Sequence, residues 1–362
     1  MRSCIVCNSS KKEFIFDSTV TVPEPYPLLG KQHIVQCQDC GFVYGDSDNT
    51  LNSYKEYYST LNKHKKRADD SKKLDESYFW RVSKFFDGLD KNARILDFGS
   101  GDLLMSNILS AKGFTNIETY DIGAHKPKGK FDFILSTHVF EHILDADKVV
   151  QEIRDLLSEG GRLLIAVPDS TRYNDCYYGP FNAFDLEHIN HFTLASLKNL
   201  LLLNGFSIKD GVENTREVRP NLFYPEVIVL GEKVGLLPQP ELENDKDIIK
   251  DKIRKYIERS SDEFSSGLIK INSRNDKKIC IWGLGIWAMR IANNIKTNNI
   301  KFFDADSRLW GKQVNGSVIF SPSVFNDNEL EDYLVFVAAV NSGDIVKMIN
   351  ESFGDSLETV AL

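Results

Sequence analysis

The chain has 362 residues, room for two or three domains at roughly 150 residues each, and its 42% AVILMFWYC and 27% charged residues are ordinary for a globular protein. Forty-four Lys and Arg against 52 Asp and Glu leave a net charge of −8, which repels a phosphate backbone and argues against nucleic acid as a partner. MRSCIVCNSS offers no apolar signal segment and no run nears the ~18 apolar residues of a membrane span, so a cytoplasmic protein without a membrane partner is expected.

Residues 1–50 carry two tight pairs, Cys4-x2-Cys7 and Cys37-x2-Cys40, among strand-like stretches EFIFDSTVTV, HIVQC and GFVYGD. Two residues between thiolates put both sulfurs on one side of a knuckle, and two knuckles complete a tetrahedral S4 shell for Zn2+. A closed shell leaves no position for water or substrate, so a structural zinc is expected. Residues 51–90 read as helical, and the basic run KHKKR at 63–67 as a solvated helix face.

From residue 93 to about 235 strands alternate with helices, which predicts βαβ units and a mainly parallel sheet. ILDFGSGD, Ile95–Asp102, reads as a buried strand, a glycine turn and a helix start; Gly99 and Gly101 let backbone N–H groups approach a ligand, flanked by Asp97 and Ser100. Asp121 ends the next strand, at the spacing from Gly101 where a carboxylate can bind ribose hydroxyls. This pairing suits a dinucleotide or S-adenosylmethionine (SAM); G-S-G-D lacks the third glycine of the dinucleotide fingerprint. The stretch 122–130 between Asp121 and Phe131 is too short for a helix and a third strand, so that strand is expected to be missing.

Histidines cluster in two segments. Thr137-His138-Val139-Phe140-Glu141-His142 follows the strand ending at Ser136, and Asp185-Leu186-Glu187-His188-Ile189-Asn190-His191-Phe192 precedes the helix SLKNLLLLNG. His is the side chain most easily tuned near neutral pH, and Glu187 beside His188 can hold its tautomer; a structural turn is the competing reading. Metal binding there is not expected, since no Cys joins these histidines. Residues 236–275 read as a polar linker and a charged helix. Residues 276–362 form a second, smaller Rossmann-like unit, where Gly283-x-Gly285-x-x-Ala288, with Asp304 at the end of the next strand, satisfies the dinucleotide spacing.

D-F-G-S-G with the E-H-I-L-D element at 141–145 resembles class I SAM-dependent methyltransferases. The whole order of parts, a 1–50 zinc module, a 51–235 SAM domain, and a C-terminal Rossmann-like unit, resembles the zinc-containing sugar C-methyltransferases, which act on nucleotide-linked keto-deoxysugars. The resemblance implies an α/β fold, with Asp97, Gly99, Ser100, Gly101, Asp121, Ser136 and His138 at the cofactor. It implies His188, Glu187 and His142 in catalysis, and Tyr54, Tyr57 and His191 at the substrate; core packing of Tyr54, Tyr57 and Tyr58 in the helix after the module is the competing reading. Cys4, Cys7, Cys37 and Cys40 would hold zinc. Asp185 and Leu186 stand where the family carries Tyr and His. The C-terminal unit would pack on the substrate side without NAD. Methylation of a sugar hydroxyl, an NAD-dependent oxidoreductase and a non-catalytic binding protein are the alternatives; monomer and homodimer are both compatible.

Overall fold

A computed structural model describes residues 2–61, 79–121, 126–219, 222–235, 240–274, 277–295, 300–324, 333–338, 342–353 and 358–361. Both CxxC knuckles lie at the ends of short strands, and Lys12–Asp17 (β1), His33–Cys37 (β2) and Val43–Asp46 (β3) form an antiparallel meander. Leu51–Leu61 (α1) follows; its buried Tyr54, Tyr57 and Leu61 recur at i, i+3 and i+7, one helical face. The basic run at 63–67 lies outside the described residues.

The central sheet begins with Ile95–Phe98 (β4), the Leu104–Ala111 helix (α2), Ile117–Tyr120 (β5) and Phe131–Thr137 (β6). The Ala146–Leu156 helix (α3) leads to Leu157–Pro168 (β7). Next come the two-residue strand Asn190–His191 (β8), the helix Leu194–Leu203 (α4), Phe206–Arg219 (β9) and Leu222–Lys233 (β10). The order is β5-β4-β6-β7-β10-β9, with β5, β4, β6 and β7 parallel and β10 and β9 antiparallel. Among the described residues no strand lies between β5 and β6, as the short spacing requires. Sequence reading did not separate β9, whose partner β10 supplies the continuous apolar run. Thr193 caps α4 through a reciprocal box with Ser196.

β8 does not belong to this sheet. It pairs antiparallel with β3, Val43 opposite His191 and Tyr44 opposite Asn190, so the cysteine module's sheet runs β1-β2-β3-β8 across the boundary expected at residue 50. The segment expected to be a linker and helix contains the Lys246–Asn272 helix (α5), which buries Ile249, Ile253 and Tyr256 against Ile34, Val43 and Phe184, astride module and central domain. Each such burial contributes about 1.5–3 kcal/mol of transfer free energy.

The C-terminal unit holds Lys278–Trp282 (β11), Ile286–Ala292 (α6), Ile300–Phe303 (β12), Gln313–Val314 (β13), Ser317–Phe320 (β14), Tyr333–Val337 (β15), Ser342–Phe353 (α7) and Glu358–Ala361 (β16). Its sheet runs β13-β14-β12-β11-β15-β16. It packs on the N-terminal module and α1: Val20, Leu28, Tyr54, Tyr57, Leu186, Leu284 and Trp287 share one core. Backbone bonds from Thr21 to Met289 (3.0 Å) and Glu24 to Gln313 (2.8 Å) seal the contact.

Candidate active site

The parallel strands β4, β5 and β6 end at one edge, the standard place for a ligand in an open α/β sheet. Phe98 lies opposite Tyr120, so the glycine turn and Asp121 leave the sheet side by side. Gly99 (φ +80°) and Gly101 (φ +47°) occupy the left-handed region, and the Tyr120 carbonyl accepts from the N–H groups of Gly99 (2.7 Å) and Ser100 (3.1 Å). A Cβ on Gly99 would lie 2.3 Å from Val139 Cγ2, whereas one on Gly101 would meet nothing within 4 Å: the first glycine admits the β6 turn, the second borders open space.

Asp97 is buried and its Oδ2 has no hydrogen-bond partner. Burial and the like charges of Asp102 and Asp121 lift its carboxyl to about 7, against the opposing Ser106 N–H. Ser136 Oγ, at the end of β6, is also buried without a partner. An orphaned acceptor, an orphaned hydroxyl and an open glycine cradle around one edge fit an adenosyl ligand rich in donors and acceptors.

His138 follows β6, held at φ +56° with its N–H on Ala166 O at 2.8 Å. Its ring lies between two buried carboxylates: Nε2 is 3.2 Å from Glu226 Oε2 and Nδ1 is 3.3 Å from Glu141 Oε1. Arg81 pairs with Glu226, and Asn214 Nδ2 donates to its Oε1 at 2.8 Å. Burial raises the pKa of both glutamates, but their Arg and His neighbours outweigh it. Arg81 and His138 hold Glu226 near 2, and His138, His142 and His188 hold Glu141 near 2. His138 thus belongs to a network behind the cofactor edge, as well as to that edge.

The next turn carries His142, whose Nδ1 lies 3.1 Å from the Glu187 carbonyl and whose ring centroid is 4.8 Å from that of His188. Asp185 Oδ1 accepts from the N–H groups of Glu187 (2.9 Å) and His188 (2.7 Å), an Asx turn that shapes the loop. Burial would depress the His188 pKa, but Asp185, Glu141 and Glu187 outweigh it and raise it. Tyr57 donates its hydroxyl to Glu187, and the Tyr58 ring meets His142 edge-on at 6.0 Å.

The expected catalytic set, His142, Glu187 and His188, therefore converges. The expected substrate residues lie deeper, within the core. Tyr54 and Tyr57 are buried in core, their hydroxyls directed to the 186–187 loop, Tyr54 on the Leu186 carbonyl at 3.4 Å. His191 is 0% exposed, flanked by Tyr173 and Phe184, with Nδ1 3.1 Å from the Tyr173 hydroxyl. Burial, with the charges of His188 and Arg2, depresses it to about 3, so it is a neutral core histidine with no surface for a substrate. Its place on a short strand beyond His188 turns it to the inner face.

Sequence reasoning named Glu141 only as part of the E-H-I-L-D element and missed Arg81 and Glu226. Their signal was local: Arg81 interrupts the aromatic run FWRVSKFF and Glu226 heads the apolar strand EVIVLG, and a charge inside such a run needs a buried partner.

The four cysteine Sγ atoms lie within 4.8 Å of one another, with Cys4–Cys40 and Cys7–Cys37 at 3.5 Å. Tetrahedral zinc with ~2.3 Å bonds sets its sulfurs about 3.8 Å apart, so the thiols fit it. Arg2 ties this module to the site: its guanidinium donates to the carbonyls of Gly45 (3.2 Å), Leu144 (3.0 Å) and Ile189, and to Asn190 Oδ1 (2.8 Å). Asn190 Nδ2 in turn donates to Phe140 O (2.8 Å) and Ile143 O (2.7 Å).

In the C-terminal unit Asp304 does not present a free carboxylate: it accepts from the N–H groups of Leu284 (2.5 Å) and Asp306 (2.7 Å). The following helix has seven residues, and Trp287 at its entrance packs so tightly on Gly179 that a Cβ there would lie 1.4 Å from the ring. These features count against a dinucleotide there.

No helix among the described residues is long and apolar enough to cross a membrane. A comparison with curated proteins gives no match. Solved structures similar to parts of the chain include Burkholderia thailandensis 1,6-didemethyltoxoflavin-N1-methyltransferase (17% identity, TM-score 0.39, covering 54% of this chain and 97% of that one). A SAM-dependent methyltransferase from Clostridium acetobutylicum is another (16% identity, TM-score 0.32, covering 51% and 99%). The family described as "Methyltransferase domain" matches residues 71–210, the span that holds the glycine turn, Asp121 and both histidine segments. Over residues 71–210, on this α/β sheet, the chain therefore carries a methyltransferase domain.

Proposed function

We propose that the enzyme methylates a carbon of a nucleotide-linked keto-deoxysugar, with structural zinc in the four-cysteine module. The observation that carries this reading is the convergence of His142, His188 and the Tyr57–Glu187 pair in one loop cluster. That cluster lies between the cofactor edge and the C-terminal unit. Asp97, the 99–101 turn, Asp121 and Ser136 would hold SAM, which when bound supplies an electrophilic methyl on a sulfonium.

His188 takes the proton from the carbon beside the ketone, leaving an enolate whose carbon is the nucleophile. Neighbouring carboxylates stabilise the imidazolium that forms, and general-base action of this kind contributes typically about 10²–10⁴-fold. The Glu187 carbonyl fixes the His142 ring and Tyr57 holds the Glu187 carboxylate, whose charge bears on His188, which limits misorientation of the reacting groups. Transfer to a sugar hydroxyl needs only a base and is the second reading, since Asp185 and Leu186 replace a Tyr and a His of the resembled family.

The test incubates the enzyme with SAM and a panel of nucleotide keto-deoxysugars in D2O. The proposal expects a product one methyl heavier, a new C–C bond by carbon NMR, and deuterium exchange at the α-carbon lost in His188→Ala. A new methoxy signal without exchange would select the hydroxyl reading.

A further inference from the structure

Sequence spacing places Glu141 beside His142, and the fold brings His188 to them from a loop more than forty residues away. Glu141 and His142 come from the turn after β6 and His188 from the loop before β8, and one ligand atom of each lies within 4.8 Å of the others. Donors around one ion at ~2.0–2.2 Å sit about 3–3.5 Å apart, so side-chain adjustment of about an ångström closes the set.

Two further features point to a ligand. Glu141 is 1% exposed, one oxygen faces His138 Nδ1 at 3.3 Å, and the other, Oε2, is buried with no hydrogen-bond partner. His142 Nδ1 faces the Glu187 carbonyl, which can only accept, so that nitrogen donates there and the lone pair of the neutral imidazole lies on Nε2, 3.8 Å from Glu141 Oε1. A carbonyl holding the distal N–H is the usual setting of a metal-bound imidazole.

We infer that Glu141, His142 and His188 form a second metal site, separate from the four cysteines, that takes one divalent transition cation of the Co2+, Ni2+ or Zn2+ type. Two imidazoles and a carboxylate suit such ions and leave coordination positions open. An ion there occupies the His188 lone pair, so metal binding and proton abstraction exclude each other and the cation is an inhibitor. This last consequence rests on the proposed role of His188; the site itself does not.

Co2+ titrated into full-length protein whose cysteine module is loaded with zinc provides the test, since a zinc tetrathiolate does not yield readily to cobalt. Calorimetry and visible absorption should show one Co2+ taken up per chain, with weak d–d bands and no thiolate charge-transfer band. Glu141→Gln and His142→Gln should each weaken uptake at least tenfold. His142→Gln leaves the buried Glu141–His138 contact intact, so it decides the matter if Glu141→Gln fails to fold. No uptake by the wild type, uptake unchanged in His142→Gln, or a thiolate band would overturn the site. Uptake with undiminished deuterium exchange would keep the site and overturn the inhibition, whereas failure to methylate any keto-sugar bears on the proposed function alone.

Discussion

Asp97 shows at residue scale how burial sets a charge to work. Its folded pKa of about 7 lies above the ordinary carboxylate value, so between roughly pH 4 and 7 the folded chain holds a proton that the unfolded chain has released. Stability therefore falls as pH rises through that window. Asp97→Asn should remove that contribution: going from pH 5 to pH 8, the melting temperature of the variant should fall less, or rise more, than that of the wild type. Parallel slopes would mean that Asp97 is not the group responsible. His188 is the second residue to test. His188→Ala should cut turnover by about 10²–10⁴-fold, as lost general-base catalysis does, while calorimetry finds S-adenosylhomocysteine affinity within about twofold of wild type. Full turnover in that variant would take His188 out of the mechanism.

At the scale of elements, the cysteine module and the 185–192 loop are one construction. β8 is a strand of the module's sheet, and Arg2 and Asn190 stitch that strand to the 140–144 turn. A structural ion at the cysteines would then act on chemistry through β3 and β8, the strand that begins just beyond His188. Removing zinc with a chelator should raise amide hydrogen exchange in residues 187–192 together with 33–46, and turnover should fall in step. Exchange confined to residues 1–50 would show that the pairing does not transmit the loss. Arg2→Ala, which removes the guanidinium's contacts without touching the cysteines, should loosen both histidine turns and reduce turnover while zinc stays bound. Metal content and hydrogen exchange of the same sample check it.

Across the whole molecule, the C-terminal unit is docked rather than tethered. Gly179, at φ +137°, lets Trp287 lie against the central domain, and no side chain fits between them. Gly179→Ala should lower the melting temperature and expose the C-terminal unit to limited proteolysis near the α5–β11 junction; an unchanged digest would remove that contact as the anchor. NAD should produce no melting shift, because Asp304 already accepts from its own loop.

What could be read from the sequence divides along the same line. The glycine turn, Asp121, the lack of a strand between β5 and β6 among the described residues and the cysteine pairs were legible because a few adjacent residues encode each of them. The pairing of β3 with β8 joins Val43 to His191, and Arg81 meets Glu226 from the far side of the central sheet's sequence. Contacts so distant along the chain leave only an unexplained charge in an apolar run. Tyr57 was found for its place after the cysteine module, but its partner Glu187 and its burial belong to the folded core. His191 looked like a site residue for its neighbours' chemistry, and strand alternation turned it inward.

The account depends most on the edge formed by the 97–101 turn and Asp121. Isothermal titration of the full chain with S-adenosylhomocysteine measures it directly. One-to-one binding is expected in the wild type, weakened at least tenfold by Asp121→Ala, since that carboxylate would hold the ribose hydroxyls. A wild-type titration with no heat and no protection of residues 97–121 from hydrogen exchange would contradict it.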